Sequence, residues 1–289
     1  MSRLLFLLLA ISIAVAIGCN AQATGSIPAR CAAIDIDESE LVVFDASVSF
    51  DRVMTSIDAR GVFAGDFELI AIVNRIDLAT VGNGRPGELR FVFGLVEEGE
   101  RQPFSLIVEL AYPESRTNEE WARLWHRRNT LDAIIDEVLA SPRGQIRTQD
   151  ARNAPPRMEE LSVAPGRPPS PARLFNTPPH DADKSALSVF VSNNEAAVLE
   201  GRAVLPEAML APWITVTTPA FELSKVDSVT RDAFARLTCN GCHTTEPTID
   251  GTFHVSPRRR GREALSGFLR REGGELEHRA DVLRQLLCF

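Results

Sequence analysis

Between Leu41 and Ala111 apolar residues fall in short runs, several alternating with polar ones, and that pattern predicts strands. The runs are Leu41–Phe44, Phe67–Val73, Leu89–Val96 and Phe104–Ala111, all rich in β-branched and aromatic residues. Leu89, Phe91, Phe93 and Leu95 share one face of their strand, as do Phe104, Leu106, Val108 and Leu110 of the next. The polar run Glu97-Glu98-Gly99-Glu100 between them predicts an antiparallel hairpin. Asn83-Gly84-Arg85-Pro86-Gly87 reads as another turn; it lacks phosphate-loop spacing, so no nucleotide site is assigned there. Asn74-Arg75-Ile76-Asp77 closes a strand with polar groups and reads first as a structural turn, with binding as the alternative.

The period then changes. Thr117-Asn118-Glu119-Glu120 is a capping box before a helix whose positions Trp121, Leu124, Trp125, Leu131, Ile135 and Val138 recur at helical spacing. Ser141-Pro142 and Gly144 end it. The two tryptophans read as core residues packing on the sheet; a pocket of Trp121, Trp125 and His126 is the alternative. Between Asp150 and Asp183 lie eight of the chain's 18 prolines, which are expected to exclude both a continuous helix and a central strand. This stretch is expected to be a linker or a surface strap packed through Leu161, Leu174 and Phe175. Lys184–Leu199 predicts one or two short helices, and Trp213–Thr217 an isolated strand or extended segment. A helix capped by Asp227 follows, with Val226, Val229, Ala233, Phe234 and Leu237 near one face. Glu263–Arg271 and Glu275–Leu287 predict two closing helices separated by Gly273-Gly274. The expected fold class is α+β: a β-rich part over 19–149 ending in the long helix, the proline-rich 150–183, and a helical part over 184–289, with one integrated domain as the alternative division.

Composition narrows the setting. Residues 1–18 carry one charge, Arg3, and an apolar run from Leu4 to Ile17, the pattern of a secretory signal peptide. Ala16-Ile17-Gly18-Cys19 resembles the lipobox of bacterial lipoproteins, which implies lipidation of Cys19 and a body held on the outer side of a membrane, periplasmic or at the cell surface. Plain secretion is the alternative. The net charge is −8, and about −9 without Arg3, which argues against a nucleic-acid partner. Arg258-Arg259-Arg260 with Arg262 forms a local basic run, read as a solvated face or a partner for acidic groups nearby.

The chemistry centres on Cys239-Asn240-Gly241-Cys242-His243. Two cysteines three apart followed directly by histidine resemble the haem-attachment motif of c-type cytochromes. The resemblance covers 226–257 and implies Cys239 and Cys242 as thioether tethers and His243 as proximal iron ligand. Asn240 and Gly241 read as a tight turn. His254, 11 residues beyond His243, can reach the opposite haem face and is the candidate distal ligand, with His180 as second choice. No methionine follows the motif, so an axial Met would come from Met54, Met158 or Met209. A Cys239–Cys242 disulfide, or zinc held with His243 and His254, is the alternative. Of five cysteines, Cys31 and Cys288 remain; they lie at opposite ends of the chain and are expected to form a disulfide in an exported protein.

The stretch from Ile72 to Cys288 is also similar to a group of uncharacterised exported bacterial proteins, through Ile72–Asp77, Gln145–Thr148, Asn194–Ala197, Cys239–His243 and Phe253–Arg258. That resemblance implies one long domain and no particular activity. The leading expectation is a lipid-anchored monohaem protein with an electron-transfer or redox role and a redox-protein partner. A non-enzymatic surface binding module is the runner-up. An enzyme is the third reading, weakened because adjacent Cys242 and His243 orient poorly as nucleophile and base.

Overall fold

The strands form one eight-stranded antiparallel sheet in the computed structural model, which describes residues 29–44, 46–79, 87–127, 130–174, 176–216 and 223–288. The expected signal peptide, Cys19, Asn83–Pro86 and Phe175 lie outside the described residues. A short helix α1 (Ala29–Ala32) precedes β1 (Val42–Val43) and α2 (Phe50–Ser56). The meander β2 (Asp66–Arg75), β3 (Glu88–Glu97) and β4 (Glu100–Ala111) leads to α3 (Asn118–His126) and α4 (Leu131–Ala140). The sheet continues through β5 (Gly144–Asp150), β6 (Arg157–Ala164) and β7 (Arg167–Pro171). Then come α5 (Lys184–Asn193), α6 (Glu195–Leu199), β8 (Trp213–Thr215), α7 (Ser228–Arg236), α8 (Cys239–Thr245), α9 (Gly267–Arg270) and α10 (Glu275–Leu287). Strand order in the sheet follows the chain from β1 to β7, with β8 also on β6. The class is α+β, as the periodicities predict.

The expected hairpin closes with Glu97 opposite Glu100; Glu98 and Gly99 both have positive φ, 53° and 80°, which matches the twist of two-residue loops. Three expectations change. The helix after Thr117 is two helices, because the chain turns extended at Arg127 and the Thr130 hydroxyl donates to the carbonyls of Leu124 and Arg127. A threonine bonding back to the main chain competes with helix continuation. The proline-rich stretch holds a central strand after all. Its prolines bracket β6, which carries none, and fall inside β7, whose outer edge has no ladder to complete. Trp213–Thr215 is not isolated, since it pairs with Arg157–Glu159.

Cross-strand register defines two faces. Ile72, Leu89, Phe91, Phe93, Leu106, Val108, Leu110 and Ile146 are buried in the core with Val53, Met54, Trp121, Ile134, Ile135 and Val138. Trp121 and Trp125 belong to this side: their indole N–H groups donate to the Pro113 carbonyl and the Tyr112 hydroxyl. The other face carries Arg75, Glu88, Arg90, Glu109, Gln145, Arg147, Gln149 and Glu160, in register across five strands. All of these side chains but the partly buried Arg90 are buried as well, under the chain from Cys239 to Arg279. Cys288, at the end of α10, is bonded to Cys31 in α1, as expected, and ties the covering helix to the start of the described chain.

Candidate functional site

Helix α7 delivers the cysteine–histidine motif. Asp227 caps α7 by accepting from the Val229 and Thr230 amides, and Thr238 caps α8 by accepting from the Gly241 amide. The motif is therefore a helical turn and not the tight turn expected. Gly241 serves a different purpose: a Cβ there would stand 1.8 Å from the Ala235 carbonyl oxygen, so only glycine lets α8 fold back onto α7.

Cys239, Cys242, His243 and His254 line one cavity, together with Arg75, Arg90, Arg147, Arg279 and Met158. Its apolar walls are Val42, Val73, Val92, Ile107, Val255, Leu265, Phe268 and Leu269. The space between these side chains measures about 930 Å³ when its open mouth is counted. Cys239 is a buried free thiol, so it is not joined to Cys242. Burial pushes the Cys239 thiol above the usual range, against the opposing charge of Arg147.

The His243 Nδ1–H donates to the Thr252 carbonyl at 2.6 Å, which leaves Nε2 as the lone-pair nitrogen. The same carbonyl accepts from Gln149 Nε2 at 2.9 Å, so β5 fixes the loop that orients the imidazole. Burial lowers His243 to about 4, so the ring is neutral and able to ligate at pH 7. Burial lowers His254 well below its ordinary value as well, reinforced by His243 and by Arg279, Arg75 and Arg90.

His254 stands beside His243 rather than across a gap. Their ring centroids are 4.5 Å apart, contact distance for two rings, so ligation from opposite faces of a planar group requires them to part. His254 Nε2 lies 3.3 Å from Cys242 Sγ, and Nδ1 lies 3.3 Å from Ser266 Oγ. Met158 also reaches the cavity and packs with Cys239, whereas Met54 is in the apolar core. His126 pairs with Glu40, and His180 bonds Thr215, both away from the cavity. Among the described residues no three His, Cys, Asp or Glu side chains converge as a metal-ion site.

Sequence reading missed the arginine wall. Arg75 pairs with Asp77 at 2.8 Å and Glu275 at 3.3 Å, and Arg279 with Glu275 at 3.2 Å. Arg90 joins Glu88 and Glu109; Arg147 joins Glu109 at 3.3 Å and Glu160 at 3.0 Å. Five carboxylates thus meet four guanidiniums. Burial raises Glu88 and Glu160, while Glu109 falls because Arg147 and Arg90 outweigh its burial. The signal available in the sequence was a charge at every second position of otherwise apolar strands, as in Leu89-Arg90-Phe91, which ordinarily marks a solvent face. The turn Asn74–Asp77 proves to be both structural and part of this wall: Asn74 accepts from the Ile76 amide while Arg75 lines the cavity. By contrast, Arg259 pairs with Asp250 and Arg262 with Glu38, on the outside.

No protein-family model matches the chain, and neither a curated protein nor a solved structure does.

Proposed function

We propose that this protein carries one haem c in the cavity beneath the sheet's charged face and works as an electron-transfer or redox protein outside the cytoplasm, held on a membrane by lipid at Cys19. The observation that carries the reading is the meeting of Cys239, Cys242 and a His243 with a free Nε2 at one cavity. The donor set suits the group: two cysteines whose thiols can add across vinyl groups, with each S–H proton passing to carbon, and one neutral imidazole. Bound there, haem would supply an iron that accepts and returns one electron.

The chain's own residues do the rest. Thr252 and Gln149 hold the His243 ring, the usual outer-shell device for fixing a ligating histidine. Leu265, Phe268 and Leu269 exclude water from one side of the cavity. His254 or Met158 would supply a further ligand to the haem iron. The exposed arginines at 258–260 are available to an acidic redox partner.

A haem stain on a denaturing gel tests the reading, using full-length protein from cells that attach haem c. Covalent signal at the chain's mass is expected, and Cys239→Ser with Cys242→Ser should abolish it. Absence of stain in the wild-type protein overturns the proposal. In stained protein, a low-spin ferric spectrum that turns high-spin in His254→Ala, but not in Met158→Ala, would assign that further ligand to His254. Cys19→Ala should release the protein from membranes; a mature chain beginning beyond Cys19 would refute the lipid anchor.

A further inference from the structure

Among the described residues, Arg147 Nε and Ser105 Oγ in the cavity wall are buried without a hydrogen-bond partner, although the Arg147 guanidinium as a whole pairs with Glu109 and Glu160. Arg90 Nη2, which also makes no hydrogen bond, still has the Glu88 carboxylate as its ion pair. Arg147 and Ser105 both line the cavity, and both are almost wholly buried, at 5 % and 1 % exposure. A buried donor left bare is costly, so such atoms point to an acceptor that is not part of the chain. They lie together on the charged face. Ile107 is the strand partner of Arg147, and Ser105 is two residues further along the same side of β4. Glu109 and Glu160 take up the Nη atoms of Arg147 and so fix its guanidinium, leaving Nε over.

We propose that Arg147 and Ser105 form a buried subsite for a single carboxylate, carried by a ligand whose apolar body fills the rest of the cavity. The apolar body follows from Val73, Val92, Ile107, Leu265 and Phe268 in the lining. The single charge follows from the wall itself. Its five carboxylates already exceed its four guanidiniums, so a doubly charged group such as phosphate would enter a negative field. One carboxylate can enter with a proton, and Glu88 and Glu160, raised by burial, can take it. The carboxylate has two sources: a propionate of the haem proposed above, or a free organic acid. Only the first rests on the haem reading.

The haem content of purified full-length protein decides that reading by itself, before the subsite is tested. Ser105→Ala then tests the subsite, because it removes one neutral hydroxyl and leaves every ion pair in place; far-ultraviolet dichroism checks its fold. If the protein carries haem, Ser105→Ala should change the dependence of the reduction potential on pH while haem content stays constant. If it carries none, calorimetry should show octanoate binding at least tenfold more tightly than 1-octanol, and Ser105→Ala should cut that preference below threefold. An altered potential assigns the carboxylate to haem, and an octanoate preference assigns it to a free acid. A haem protein whose potential ignores the substitution, or a haem-free protein that does not distinguish octanoate from octanol, overturns the subsite and leaves those atoms to water.

Discussion

On one face of the sheet Phe91, Phe93, Leu106, Val108 and Ile146 are fully buried among other apolar side chains, whereas on the opposite face Glu109, Arg147 and Glu160 are nearly as buried among one another's charges and those of Arg90. The first face is stabilised by removing hydrocarbon from water, a contribution that adds up residue by residue. The second is a network in which each charge has lost its water and depends on its neighbours. Replacing such a network with apolar residues is often neutral, so stability alone does not account for it. The candidate site lies on this second face. The protein thus keeps its apolar bulk for folding and places its buried charge where a ligand is to be held.

The contrast between the faces should give way first at the cover over the charged one. Cys31 and Cys288 are 257 residues apart, and closing that loop stabilises the fold by ~5 kcal/mol in the chain-entropy model. Cys31→Ser with Cys288→Ser should lower the denaturant midpoint accordingly, and α10, which carries Glu275 and Arg279, should exchange its amides faster than β3 does. Equal protection of the two elements would show that the disulfide does not serve the charged face in particular.

On the apolar face, Phe91→Ala should cost about 4 kcal/mol by urea unfolding, the usual result of a large core truncation. A loss below about 1 kcal/mol would mean that the face is not packed as described. On the charged face, Arg147→Ala should cost about 3 kcal/mol, because it leaves Glu109 and Glu160 buried without their shared cation. Arg147→Met together with Glu109→Gln and Glu160→Gln should recover most of that loss. A triple variant no more stable than the single one would show that shape, and not charge, governs this side.

The smallest effect is one of pH. Burial alone would raise Asp77, but Arg75, then Arg279, bring it down from 3.8 to about 2. A carboxylate with a lowered folded value adds stability above its unfolded value and loses it as pH falls through the folded one. That contribution of about 2 kcal/mol should therefore disappear between about pH 4 and 2, at ~1.4 kcal/mol for each pH unit between the folded and unfolded values. Unfolding of wild type and Asp77→Asn compared at about pH 6 and pH 2 checks this: the gap between them should shrink by that amount.

Local features were largely legible from the chain. The hairpin at Glu98-Gly99, the Thr117 and Asp227 caps, the split of Lys184–Leu199 into short helices and the pairing of Cys31 with Cys288 all follow from residues near in sequence or from cysteine arithmetic. The break at Arg127–Thr130 was less visible, because one threonine's hydroxyl outweighed an apolar repeat that continued through it. The strand inside the proline-rich stretch was hidden by averaging: the prolines flank Arg157–Ala164 and do not enter it.

The order of residues was enough to dictate the motif Cys239–His243, the strands before it and the side chains each strand presents to its two sides. Alternation says which residues share a side, since the period of a strand is two. It cannot say what covers that side. Arg90 and Arg147 alternate with apolar neighbours as solvent-facing residues would, and the chain from Cys239 to Arg279, far away in sequence, decides that Arg147 is buried and Arg90 partly so. Tertiary structure alone likewise brought His254 against His243 and gave Gly241 its purpose, because both depend on contacts between elements that no local period records.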